Sequence, residues 1–116
     1  KKLDTTGLGV VYIEKTPYSG GKMMSVAETS YDWHSAQTWC SNYGTGWYLL
    51  NVDDFCLHRQ NLLTLNDTLS KMGFPKIDGQ YWTSTNKTFI EIENGRTNGY
   101  GYYDDIHKVR AFYEFK

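Results

Sequence analysis

At 116 residues the chain is long enough for one domain that buries its own core without metal or disulfide staples. A formal net charge of −1 carries no basic excess, which argues against nucleic acid or an anionic membrane as an electrostatic partner. An aromatic fraction of 16 %, with 10 Tyr and 4 Trp, excludes intrinsic disorder, and no apolar run approaches the ~20 residues of a membrane span.

The chain opens on Lys1-Lys2-Leu3, with neither Met nor the apolar core of a signal segment. It is therefore expected to be a processed form, or a single domain (1–116) of a longer exported or virion protein. Gly7 to Glu14 is β-branched and apolar, as a buried N-terminal strand would be. Thr16-Pro17-Tyr18-Ser19-Gly20-Gly21 has turn composition, and Lys22 to Ala27 reads as the returning strand of a hairpin. Asp32 or Ser35 can cap a first helix that runs to about Tyr43, with Trp33, Ala36, Trp39, Cys40 and Tyr43 on one face. Gly44 and Gly46 stop it. After the apolar link Trp47-Tyr48-Leu49-Leu50, Asn51 or Asp53 begins a second helix. It is expected over Asp53 to Met72, with Phe55, Leu62, Leu65, Leu69 and Met72 inward, and Gly73 and Pro75 end it.

Everything beyond reads as β. Tyr81 to Ser84 and Phe89 to Glu93 are strands, and Asn94-Gly95 is a two-residue hairpin signal, since a type I′ turn needs positive φ at both central residues. Ile106 or His107 to Phe115 reads as one long closing strand in which Val109, Ala111, Tyr113 and Phe115 alternate with polar neighbours. The fold class is α+β. Leu8 to Glu14 is expected to pair antiparallel with the Ile106 to Phe115 region, because no other apolar partner is left for either. Trp47 and Trp82 are expected to be core anchors.

Between these strands lies Asn98-Gly99-Tyr100-Gly101-Tyr102-Tyr103-Asp104-Asp105. Tyr supplies rigid contact area at low entropy cost, and Gly and Asn let a loop adapt, so this composition suits recognition. The candidate ligand-binding residues are Asn98, Tyr100, Tyr102, Tyr103, Asp104 and Asp105, with Tyr81, Thr83, Thr85 and Asn86 nearby. Should the tyrosines prove to be core, the binding face is expected around Thr16 to Gly21.

Several residues invite sharper readings that their spacing does not favour. His34, Cys40, Cys56 and His58 are zinc-ligand types, yet they form no paired-ligand pattern, and Cys56 and His58 point to different faces of a helix. Cys40 and His34 are not facing neighbours, so they make a poor nucleophile–base pair. The two cysteines can form one bridge between the helices or remain separate thiols. Asp53 and Asp54 suit a helix start electrostatically, and Arg110 suits an ion pair or carbonyl contacts. Gly7-x-Gly9 and Gly99-x-Gly101 do not sit between a strand and a helix as phosphate loops do. Asn66-Asp67-Thr68 and Asn86-Lys87-Thr88 match the N-glycosylation sequon, which is meaningless in a bacterial source. No cofactor is expected, and the scattered carboxylates offer calcium no converging site.

Trp33 with Ala36 and Cys40, then Gly46-Trp47-Tyr48-Leu49, Asp53-Asp54-Phe55, Tyr81-Trp82-Thr83-Ser84-Thr85, Asn94-Gly95 and Val109-Arg110-Ala111-Phe112 occur in an order that resembles one bacterial family of C-type-lectin-like domains. The likeness runs from about Gly9 to Phe115. Members resemble the C-terminal domains of surface lipoproteins and fimbrial tip subunits, and the variable ligand-binding proteins of diversity-generating retroelements, including phage receptor-binding proteins. Leu50 stands where the family usually has Pro, and the calcium- and sugar-holding motifs of animal C-type lectins are absent. The resemblance implies paired terminal strands, two helices and a second small antiparallel sheet carrying an exposed loop. It implies a non-enzymatic module that binds protein or glycan at a cell surface or on a virion, without membrane insertion. The alternatives are a structural domain of a fimbrial or surface fibre and, more remotely, an enzyme of the sulfatase-modifying branch.

Overall fold

The computed structural model describes residues 8–99 and 105–116, so Tyr100, Tyr102, Tyr103 and Asp104 lie outside the described residues. The architecture is α+β, with three helices and two sheets among the described residues.

The first sheet has the order β1 (Gly9–Ile13), β2 (Gly21–Ser25), β8 (Phe112–Phe115), all antiparallel. The turn between β1 and β2 closes on Thr16, whose Oγ1 accepts the backbone N–H of Tyr18 at 3.2 Å and of Ser19 at 3.0 Å. Gly21 lets the Phe115 ring cross the strand, since a Cβ there would fall 2.2 Å from it. The terminal strands share this sheet but do not pair, contrary to the expectation. Met23 of β2 stands between Val11 and Tyr113. Met23, Met24 and Ser25 are all buried, the environment of a central strand covered on both faces.

Helix α1 (Trp33–Tyr43) is capped by Asp32, whose carboxylate accepts the Ser35 N–H at 2.8 Å. That bond holds the Asp32 carboxyl below its ordinary pKa. Ala36 and Cys40 are buried on its inner face, with Trp33, Trp39 and Tyr43 packed beside them. Helix α2 (Val52–Leu63) is capped by Asn51, which accepts the Asp54 N–H at 2.8 Å, and Asp53 and Asp54 fill its first turn.

The expected single second helix is two helices. Thr64 Oγ1 donates back to the Asn61 carbonyl at 2.7 Å, and α3 (Asn66–Lys71) starts anew. Asn66 then ties the following loop down, accepting from Ile77 N at 2.6 Å and donating to Ile77 O at 2.9 Å. Leu62, Leu65 and Leu69 stay buried through the break, whereas Met72 at the end of α3 is exposed.

The second sheet has the order β3 (Thr29–Tyr31), β7 (His107–Val109), β4 (Gln80–Trp82), β5 (Phe89–Glu91), β6 (Arg96–Asn98). It is five-stranded and mixed rather than small and antiparallel, because β4 and β7 run parallel through Tyr81 and Lys108. The expected closing strand is therefore two strands in different sheets. The chain passes between them at Arg110 and Ala111, and Val109, Arg110, Ala111 and Phe112 are all buried instead of alternating.

The β5–β6 connection also differs from the two-residue turn. Glu91 pairs with Arg96, leaving residues 92–95 as the loop, and Gly95 has φ +75° while Asn94 does not have positive φ. Ile92 is buried in the core, and Arg59 of α2 donates to the carbonyls of Ile92 at 3.1 Å and Glu93 at 2.7 Å. These tertiary anchors select the wider loop.

Trp47 and Trp82 are both core residues, at 8 % and 0 % exposure. Tyr81 and Ile90 pack against α2 and α3, while Trp82, Phe89 and Val109 pack with α1 residues, so the centre of the second sheet is covered on both faces and its edge strand β6 is left exposed. Cys40 and Cys56 are free thiols, the first buried and the second exposed, so no bridge joins α1 to α2.

Candidate functional site

A buried polar knot anchors the base of the second sheet. Arg110, 1 % exposed, donates through Nε to Glu28 Oε2 at 3.0 Å, and its Nη2 lies 3.0 Å from the same oxygen. Its Nη1 donates to Ser25 O at 2.9 Å and Val26 O at 3.2 Å, and its Nη2 to Pro75 O at 2.6 Å. The Tyr81 hydroxyl donates to the same Glu28 carboxylate and accepts the Asp78 N–H at 3.2 Å. Burial, and then the bond to Glu28, push the Tyr81 phenol far above its ordinary range, so it stays neutral.

This knot removes Tyr81 from the candidate surface. Thr83 is removed as well. It is 0 % exposed, and its Oγ1 donates to Thr88 O at 2.8 Å. Both are interior residues whose polar atoms are satisfied internally. Thr85 and Asn86 are exposed, although the Thr85 hydroxyl is used at the start of α2, accepting the Val52 N–H at 3.1 Å. Asn98 is exposed on the edge strand β6, opposite Phe89, and Asp105 is half-buried two residues before His107.

Sequence reasoning missed the surface that joins Asn98 to the sheet. Gln80, Glu91 and Arg96 stand in register across β4, β5 and β6, and Asn98 is in register with Phe89 and Trp82. Gln80, Glu91, Arg96, Thr97 and Asn98 line an open groove of about 260 Å³ with Phe89 in its lining. Asn94 bonds to Glu91 through its side chain. The Arg96 guanidinium has no hydrogen bond or ion pair among the described residues. The available signal was the period of two in Phe89-Ile90-Glu91 and Arg96-Thr97-Asn98, which puts the outer members on one face.

The two roots of the candidate loop are far apart. Strand β6 runs in the direction of β4 and β7, with β5 and β4 lying between β6 and β7. Three strand spacings put β6 and β7 roughly 14 Å apart. Asn98 ends β6 at the Trp82 end of β4, whereas His107 begins β7 at the Gln80 end.

His107 is stacked on Phe89 at 4.0 Å between centroids and edge-on to Trp82 at 4.6 Å. Its Nε2 is buried with no hydrogen-bond partner among the described residues. Burial lowers its pKa from the ordinary 6.5, and the Asp105 carboxylate opposes that shift. With the folded value below the unfolded one, the unfolded chain takes up the proton first. The contribution of His107 is thus full above about 6.5 and is lost as the pH falls below it. His58 has the same sign, from burial and then Lys22, against Asp54. Urea unfolding followed from neutral to mildly acidic pH should show a shallower loss of stability in His107→Gln than in wild type. Equal slopes would place the acid sensitivity elsewhere.

Among the described residues no three His, Cys, Asp or Glu side chains converge on a common point. Burial pushes the Cys40 thiol up to about 12, which keeps it protonated, and its Sγ lies 3.5 Å from the Arg110 carbonyl. Among the described residues, no helix is long and apolar enough to cross a membrane.

Comparison of the chain with protein-family models, with curated proteins and with solved structures gives no match.

Proposed function

We propose that this domain is a non-enzymatic binding module of C-type-lectin-like fold, displayed on a cell surface or virion as an adhesin or receptor-binding element. Its ligand is a protein or a glycan. The recognition surface combines the β4–β5–β6 groove with the segment from Asn98 to Asp105, whose Tyr100, Tyr102, Tyr103 and Asp104 enter on their composition.

One observation carries the reading. The frame keeps Arg110, Tyr81, Thr83 and Trp82 inside with their polar atoms bonded, while Gln80, Glu91, Arg96, Thr97 and Asn98 are left around Phe89 at the root of the aromatic segment. A half-buried aromatic ring rimmed by directional polar groups is the make-up of an interface centre. A segment whose ends are fixed by β6 and β7 can vary in sequence without disturbing the knot at Arg110. That fits a diversified variable protein.

The test begins with a screen of the domain against an array of glycans and purified cell-surface proteins. Arg96→Ala and Asn98→Ala should each weaken the bound partner by about 2 kcal/mol, roughly thirtyfold in Kd, if either is a hot spot. Their unfolding midpoints should stay at the wild-type value. Wild-type affinity in both variants would move the binding face away from the groove. Self-association through the exposed edge strand β6 would favour a structural fibre domain instead.

A further inference from the structure

We infer that the cleft between Tyr31 and helix α1 is a second ligand site, separate from the β4–β6 groove, and that its ligand is a neutral saccharide held without a metal ion. The cleft is lined by Tyr31, His34, Ser35, Thr38, Trp39 and Asn42 and has a volume of about 420 Å³. That lies within the roughly 300–1,000 Å³ typical of small-ligand sites.

The lining follows from helix geometry. His34, Thr38 and Asn42 recur at four-residue spacing, opposite the buried Ala36 and Cys40, with Ser35 and Trp39 beside them. Tyr31, at the end of β3, forms the facing wall and is 40 % exposed. Both walls are held. The Tyr31 carbonyl accepts the Trp82 indole N–H at 2.8 Å, and Trp33 Nε1 donates to Thr83 O at 2.9 Å, which fixes the β3–α1 corner to the second sheet. The Trp39 ring rests on Tyr43 at 5.2 Å, and the Tyr43 hydroxyl is bonded to the Leu8 carbonyl. A plate fixed in this way loses little freedom on binding.

The chemistry of the lining selects the ligand class. No carboxylate, lysine or arginine contributes to it, so a phosphorylated or acidic ligand would be desolvated without a counter-charge. A pyranose has a face of C–H groups that suits an aromatic ring and a rim of hydroxyls that both donate and accept. Tyr31 and Trp39 match the first. The Tyr31 hydroxyl and the Asn42 amide match the second, and the Ser35 and Thr38 hydroxyls, whose protons go to Asp32 and to the His34 carbonyl, add acceptors. The Tyr31 hydroxyl, the Asn42 amide and the Trp39 indole N–H make no hydrogen bond among the described residues, so each has capacity for a ligand.

The test is a two-dimensional amide NMR titration of the labelled domain, in EDTA, with maltose, cellobiose, lactose and N,N′-diacetylchitobiose as probes. At least one sugar should give saturable shifts at Tyr31, at the amides of residues 34–42 and at the Trp39 indole N–H. Asn42→Ala and Tyr31→Ala alter surface groups, and each should weaken that sugar at least tenfold. Arg96→Ala, in the other groove, should leave its affinity unchanged. No saturable shift with any probe would overturn the inference. So would shifts confined to the β4–β6 groove, or wild-type affinity in both cleft variants. None of these results depends on whether the groove binds its own partner.

Discussion

Replacing Arg110 with alanine is expected to lower the free energy of unfolding by about 3–5 kcal/mol, the cost of breaking one side of a buried ion pair. The change strands the Glu28 carboxylate, whose side chain is 12 % exposed, and leaves the carbonyls of Ser25, Val26 and Pro75 without their donor. Those groups belong to the end of β2, the approach to β3 and the loop before β4, so the loss unties the two sheets where the chain crosses between them. Arg110→Lys keeps the charge but not the planar fork, and should recover only part of the loss. Replacing Arg110 and Glu28 together by methionine should recover more, because no buried charge is then left alone. Urea unfolding midpoints decide it. A loss for Arg110→Ala within the ±0.5 kcal/mol of an ordinary surface change would mean that the knot is open to water.

Trp82→Ala should cost a similar ~3–5 kcal/mol, by removal of a large buried ring. Trp82 is 0 % exposed, meets Phe89 and His107 edge-on at 5.8 and 4.6 Å, and bonds to the Tyr31 carbonyl. The loss should have a second consequence, because the Phe89–His107 stack rests on this ring beside the groove. Trp82→Phe restores much of the apolar volume without the N–H, so it should fold with a smaller deficit. If Trp82→Ala shifted the unfolding midpoint by only a few tenths of a kcal/mol, the assignment of Trp82 as the centre of this cluster would be wrong.

The features that were legible in the sequence are the ones set locally. Asp32 and Asn51 cap helices because a side-chain oxygen three residues before an unpaired N–H suffices, and Ala36 and Cys40 face inward because their spacing matches the helical turn. The N-terminal hairpin was legible for the same reason. What escaped depends on distant parts of the chain. Nothing in Val109-Arg110-Ala111-Phe112 announces a change of sheet, since a continuous apolar strand and a buried crossing share that composition. The Asn94-Gly95 pair lost its two-residue turn to the pull of Arg59, remote in sequence, and to the burial of Ile92 among core residues from other parts of the chain. Tyr81 and Thr83 look like surface residues by type, but Glu28 and Thr88 supply partners that let them lie inside. The groove was hidden because its register joins three strands, and only the pairing of Gln80 with Glu91 and of Glu91 with Arg96 brings them together.

The central claim is that recognition rests on the groove and the aromatic segment, while folding rests on the buried frame of Arg110, Tyr81, Thr83 and Trp82. Its most direct test is the variant in which Tyr100, Tyr102 and Tyr103 are all replaced by serine. Thermal unfolding would be compared with wild type, alongside affinity for whichever array glycan or surface protein the wild type binds. The account predicts a Tm within a few degrees of wild type and affinity reduced by about 2 kcal/mol or more. A variant that unfolds, or one that folds and binds at wild-type affinity, would contradict it.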